Sequence, residues 1–135
     1  MDIPFIGNIH IESGLRISYM PQDTSSLLGD LKSFTAEHNL DEALLKAVLR
    51  KLGFERRQFE KDMEQLSAGQ KKKVLLAKSL CERAHLYIWN EPLNYVDVLS
   101  RMQIEKLLQQ YTPTLLFVEH DRAFTDKIAT KIVYL

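Results

Sequence analysis

Apolar and polar positions alternate at the start of the chain and then change period. Ile9 and Ile11, then Leu15, Ile17 and Tyr19, have polar neighbours, the period-two pattern of half-buried strands. Ser13-Gly14 predicts the turn between these strands, and Pro21 ends the second. The polar stretch from Gln22 to Asp30 predicts a loop. Helical spacing follows: Leu40, Leu44, Ala47, Val48 and Leu52 are expected on one face. Asn39 is the expected cap of that helix, with Glu42 reciprocating and Gly53 as the stop. A second short helix is expected over Arg56 to Gln65.

Ser67-Ala68-Gly69-Gln70 repeats the capping pattern, serine followed three residues on by glutamine. Behind it Val74, Leu75, Ala77, Leu80 and Cys81 form an apolar stripe. Leu86 to Trp89 and Thr114 to Val118 are short continuous apolar runs, as buried parallel strands require. Asp97 is expected to cap the helix between them, with Leu99, Met102, Leu107 and Leu108 among its apolar positions. Asp121 caps a further short helix in this reading, and Lys131 to Leu135 forms a last strand. Helix and strand alternate from Gly69 onward, which predicts an α/β fold with a parallel sheet. The helical block from Ser33 to Gln65 interrupts that pattern like an inserted subdomain.

Composition narrows the class. A chain of 135 residues suits one domain, and its 45% apolar and 27% charged fractions are ordinary for a globular protein. A formal net charge of zero gives no global attraction to nucleic acid or anionic membranes. The single cysteine, Cys81, excludes an internal disulfide and fits a reducing cytoplasm. No apolar run has the length of a membrane segment. Met1 to Gly7 lacks the parts of a secretion signal. No zinc-like Cys/His cluster or Ser-His-Asp arrangement is evident.

Four clusters carry candidate chemistry. Leu66 to Gln70 opens a helix, where small residues and Ser67 leave donors facing outward for a phosphate. Asn90-Glu91-Pro92 follows an apolar strand, at the edge where α/β folds place ligands, and Glu91 can take a proton from an attacking water. Glu119-His120-Asp121 ends the next apolar strand, and His120 can donate to a terminal phosphate. Gln22, after the strand at Met20-Pro21, can orient a water or a metal ion. Singly, each has a plain structural alternative: a helix cap, a surface carboxylate, a turn histidine, a loop glutamine. Trp89 reads as core.

In this order the clusters resemble the ABC ATPase cassette, from about Gly14 to Leu135. Leu66 to Gln70 resembles the LSGGQ signature with Ala68 replacing one glycine. Glu91 to Asp97 resembles the Walker B exit and D-loop. Asn94-x-x-Asp97, with Glu119-His120-Asp121-Arg122 and Phe124, resembles the ABC-F branch, whose members are twin-cassette ATPases acting on the ribosome. Trp89, Leu93, Tyr95 and the segment Val98 to Met102 look most like the second cassette of Lsa/Vga-type resistance proteins.

The resemblance implies a partial P-loop NTPase sheet with an inserted helical subdomain. Residues 1–32 would hold the Q-loop strands, 33–83 the helical and signature region, and 84–135 the Walker B to H-switch core. It implies ATP and Mg²⁺ as cofactors, with a complementary cassette and the ribosome as partners. Ser67, Gly69 and Gln70 would contact ATP held by the other cassette. Glu91 would be the general base and His120 the γ-phosphate sensor. Gln22 would touch Mg²⁺ and relay nucleotide state, and Asp97 would couple the two sites.

Two departures stand out. Asn90 replaces the Walker B aspartate, so it can bond metal-bound water but brings no negative charge to Mg²⁺. No G-x-x-x-x-G-K-[ST] run exists, so the Walker A strand and loop are missing and the chain reads as cut after them. In the family that strand separates the Walker B strand from the strand of the switch histidine. The runs at Leu86–Trp89 and Thr114–Val118 are therefore expected either to leave backbone groups unpaired or to pair directly. Lys71-Lys72-Lys73 suits a solvated helix face, an anion site or an RNA contact. A transporter subunit and a non-catalytic half-cassette remain the alternatives, although Leu93 to Asp97 departs from the usual transporter D-loop.

Overall fold

The computed structural model describes residues 14–132. Strand β1 (Ile17–Met20) leads into a loop and then helices α1 (Leu31–Glu37), α2 (Glu42–Lys51) and α3 (Arg56–Glu60). A 3₁₀ turn (Met63–Gln65) precedes α4 (Ala68–Cys81), and β2 (Leu86–Asn90), α5 (Val98–Tyr111), β3 (Leu115–Val118) and α6 (Arg122–Ile128) complete the order. The strands form a parallel sheet in the order β1-β2-β3. The fold class is thus α/β with a parallel sheet, as the alternation of elements predicts.

The register settles the question of the two apolar runs. Tyr87 faces Leu115 and Asn90 faces Val118, so β2 and β3 pair directly. On the other side Ile17 faces Leu86 and Met20 faces Trp89. Direct pairing satisfies backbone groups that an intervening gap would leave unmet. It also brings the C-terminal ends of all three strands to one edge.

Trp89 lies at the centre, 0% exposed, with Met20, Leu76, Leu93 and Ile104 also in the core. Its indole Nε1 donates to Ser79 Oγ of α4 at 2.8 Å, and that hydroxyl bonds Ser18 Oγ of β1 at 2.6 Å. This chain of hydroxyls satisfies the polar atoms that the packing of α4 on the sheet buries. α4 buries more than the predicted stripe: Lys72, Leu76 and Ser79 are buried as well, because the sheet and α2 both pack on it.

Several expectations need correction. Asn39 does not cap α2; Asp41 does, accepting from Leu44 N. Asn39 follows α1 with a φ of 54°, a left-handed position at a helix end that asparagine tolerates. α1 begins two residues before the expected helical block and is capped by Asp30. On α2 the buried residues are Leu45 and Leu49, followed by Leu52, while Leu44 and Ala47 are exposed. Apolar residues at 44, 45, 48, 49 and 52 fit two overlapping stripes, and contact with α4 selects one. The segment Arg56 to Gln65 is not one helix but α3 and the 3₁₀ turn. On α5, Leu99 and Met102 are exposed. Lys131 and Ile132 are not in a strand, and residues 133–135 lie outside the described part. The expected strand at Ile9 and Ile11 also lies outside it. Among the described residues no helix is long and apolar enough to cross a membrane. Burial pushes the Cys81 thiol up to about 11, assisted by Asp41 and Glu82, so it stays protonated at neutral pH.

Candidate functional site

β2 delivers Glu91 to the edge of the sheet. Glu91 N still donates to Val118 O at 2.8 Å, and then a φ of 48° turns the chain off the strand. For a residue with a Cβ, this left-handed conformation costs about 1–2 kcal/mol. Three side chains hold the carboxylate in place. Gln22 Nε2 donates to Oε2 at 2.6 Å and Asn94 Nδ2 to the same oxygen at 3.1 Å. His120 Nε2 lies 3.1 Å from Oε1. Gln22 comes from the loop after β1, Asn94 from the loop after β2, and His120 from the loop after β3. Residues 69 and 29 positions from Glu91 in sequence thus meet on it.

Glu119 organises the loops beneath. One of its oxygens accepts from Leu93 N at 3.1 Å and the other from His120 N at 2.9 Å. It thereby staples the loop after β2 to the loop after β3. The His120 side chain is 83% exposed and the Glu91 side chain 19%, so the histidine faces solvent above a mostly enclosed carboxylate. Asn90 ends β2, and its side chain makes no hydrogen bond among the described residues.

A second cluster forms at the start of α4. Ser67 Oγ accepts from Gln70 N at 3.1 Å, and Gln70 Oε1 accepts from Ser67 N at 3.0 Å. This reciprocal cap fixes Ser67, Gly69 and Gln70 on one turn. Ala68 has no positive φ, so the substituted signature position is unstrained and its backbone donor is retained. Gly69 is needed for space: a Cβ there would lie 2.3 Å from Tyr95 O. Tyr95 holds a φ of 64°, and its ring is exposed.

Asp97 joins this cluster. It caps α5 through Ser100 N at 3.0 Å and pairs with Lys73 Nζ of α4 at 2.9 Å. Burial raises its pKa, but the hydrogen bonds from Lys73 and Ser100 outweigh that effect and hold the carboxyl well below the usual aspartate range. A carboxyl depressed on folding stabilises the fold above its unfolded pKa of about 3.9, and this contribution is lost as pH falls through the folded value. Asp97→Asn keeps a capping oxygen but loses the charge. Urea unfolding should find the variant less stable than the wild type at pH 7, with the gap shrinking below about pH 4. A gap that stays constant with pH would show that the charge contributes nothing.

The structure therefore places the predicted residues in two neighbouring groups. Gln22, Glu91 and His120 meet directly, while Ser67, Gly69, Gln70 and Asp97 sit together at α4. The loop from Glu91 to Asp97 joins the groups. The family model described as ABC transporter matches residues 5–94. The chain belongs to the ABC ATPase family.

Curated relatives place this ABC cassette in the F branch. It is 32% identical over 127 residues to the ribosome protection protein VmlR of Bacillus subtilis, covering 90% of this chain and 23% of that protein. It is 33% identical over 113 residues to ATP-binding cassette sub-family F member 3 of Rattus norvegicus, covering 82% and 16% respectively. The probable ATP-binding protein YbiT of Escherichia coli O157:H7 is 30% identical, covering 96% of this chain and 26% of the relative. The chain thus spans about a quarter or less of the relatives it matches. Among solved structures, the archaeal ribosome recycling factor aABCE1, in complex with the ribosomal stalk protein aP1, superposes with a TM-score of 0.70 at 26% identity. That match covers 94% of this chain and 26% of the solved one.

ABC ATPases use ATP and Mg²⁺, but the donors here do not make a cation site. Asn90 is neutral, Gln22 turns its NH₂ toward Glu91, and the Glu91 carboxylate already accepts from three partners. No cluster of three acidic, histidine or cysteine side chains suited to a metal exists among the described residues. Three residues of the site escape motif reading. Asn94 and Glu119 lie inside quoted motifs, yet their roles as braces depend on which loops meet. Lys72 is masked by its two lysine neighbours. The available signal is its spacing to Leu76 and Ser79, four and seven residues on, along the buried side of α4.

Proposed function

We propose that this chain is part of an ABC-F ATPase, of the Lsa/Vga type, that acts on the ribosome from the cytoplasm. The observation that carries the reading is the meeting of Gln22 and His120 on Glu91 at the C-terminal edge of the sheet. Glu91 is the general base in this reading. Its carboxylate takes a proton from water as the water oxygen bonds the γ-phosphorus and the bond to the leaving ADP oxygen breaks. His120, exposed above it, donates to the γ-phosphate, and Gln22 and Asn94 hold the base in position. Ser67, Gly69 and Gln70 receive ATP carried by a complementary cassette, where the helix N-terminus and the serine hydroxyl favour phosphate. Asp97 links this trans contact to the loop carrying Glu91. The ribosomal role draws support from the likeness to the ribosome protection protein VmlR and the ribosome recycling factor aABCE1.

The neutral Asn90 favours a second reading, in which this chain contributes only the signature face to a composite site. Phosphate release and ribosome co-sedimentation test both. The chain alone should release no phosphate above background. A complete ABC-F cassette should bind ATP more tightly when this chain is added, and Ser67→Ala should remove that gain. Magnesium-dependent turnover by the chain alone at an ordinary enzymatic rate of about 1–1,000 per second would overturn the second reading. Failure to sediment with ribosomes as part of a full-length protein would overturn the ribosomal role.

A further inference from the structure

Three consecutive lysines follow the signature, and the structure gives them three different environments. Lys71 is half-buried on the first turns of α4. Lys73 pairs with Asp97. Lys72 is 1% exposed, among the largest fully buried side chains of the molecule. The solvated-face reading therefore fails for Lys72, and so does a direct RNA contact. Its Nζ donates to Gln22 O at 3.3 Å. Burial lowers its pKa, while the negative charges of Glu91 and Glu119 pull the other way and favour the ammonium.

An ammonium is costly at such a place. A methionine would fill the same space without desolvation, and a buried charge is tolerated only with partners. Lys72 has its partner in the loop after β1, at the residue whose side chain holds Glu91. Gln22 thus faces two ways: its amide donates to the carboxylate at 2.6 Å, and its carbonyl accepts from the signature helix. Lys72 stands about one turn beyond Gly69 and Gln70 on α4.

We propose that Lys72 is a positioning residue that couples the two groups of the site, tying the backbone of Gln22, and through its side chain Glu91, to the first turns of the signature helix. A shift of Gln22 then pulls on the helix whose N-terminus carries Ser67, and a load on that turn is felt at Glu91. The functional meaning rests on the proposed trans contact of Ser67 with nucleotide, but the coupling is a property of the chain without nucleotide.

NMR on the chain without nucleotide separates the two. Lys72→Met keeps the stem and removes the charge, while Lys72→Arg keeps both charge and donors. In Lys72→Met, amide exchange at Ser25 and Leu27, in the loop after Gln22, should speed up about ten-fold, the equivalent of one lost charge-assisted hydrogen bond. Lys72→Arg should restore protection. Glu91→Gln should shift the amide signals of Ser67 to Gln70 in the wild type and leave them unmoved in Lys72→Met. A purely space-filling Lys72 would let methionine preserve both protection and transmission, and that result overturns the proposal. Should Lys72→Met not fold, the Nζ signal of Lys72 in the wild type decides: it must respond to Glu91→Gln, and an unresponsive signal overturns the coupling. Loss of the Ser67-dependent ATP effect with these results intact would instead remove the nucleotide reading alone.

Discussion

Trp89→Ala should destabilise the fold by about 3–5 kcal/mol, the range for emptying a large aromatic site. Domains of this size are stable by only about 5–15 kcal/mol, so the variant loses a large share of its margin. Trp89 is fully enclosed between β1, β3 and α4, facing Met20 and Phe117 in the register. Its removal also takes the indole donor from Ser79, which then retains only the Ser18 hydroxyl as its side-chain partner. The consequence reaches the site, because Trp89 is two residues before Glu91, on the strand that delivers it to the sheet edge. Urea unfolding followed by far-ultraviolet circular dichroism measures the effect, since Trp89 is the chain's only tryptophan and fluorescence is lost with it. A cost below about 1 kcal/mol would mean that the sheet and α4 close the gap easily, contrary to the usual cavity penalty.

Gly69→Ala should cost about 1–3 kcal/mol, the usual range for overpacking. The new methyl carbon would lie 2.3 Å from Tyr95 O and 3.4 Å from the carbonyl carbon. Both atoms are backbone, in a residue already left-handed, so the loop cannot yield as a flexible side chain would. Either α4 loses its first turn or the loop from Glu91 to Asp97 moves away from it. The neighbouring Ala68→Gly is the control. It meets no positive φ and should change stability by less than about 1 kcal/mol, the helix propensity difference. Measuring both variants by urea unfolding tests the contact, and equal costs would remove it. The pair also explains why one signature glycine can be an alanine here while the next cannot.

Local signals were legible in the chain wherever a rule spans a few residues. Ser67 with Gln70, Asp97 and Asp121 cap their helices as their spacing predicts, because a cap bonds amides two or three residues away. The two apolar runs are strands, and Glu91 and His120 follow them at the sheet edge, but the expected burial fails for β3, where Leu116 and Val118 are exposed on the open face of the sheet. The motif order carried the family for the same reason: each motif is local and the spacing between them is written in the chain.

Choices between locally equivalent options needed the folded molecule. Asn39 and Asp41 are both acceptable caps for the same helix, and the left-handed end of α1 assigns Asn39 elsewhere. Leu44 and Leu45 belong to rival stripes until α4 packs against one. Lys71, Lys72 and Lys73 are identical letters with different surroundings, because successive residues on a helix point about 100° apart. Whether β2 meets β3 depends on which strand is available between them, a fact of pairing that no local pattern contains. Short-range bonds and side-chain periodicity are functions of neighbours along the chain. Burial, charge pairing and strand order are functions of neighbours across space, and those exist only once the chain has folded.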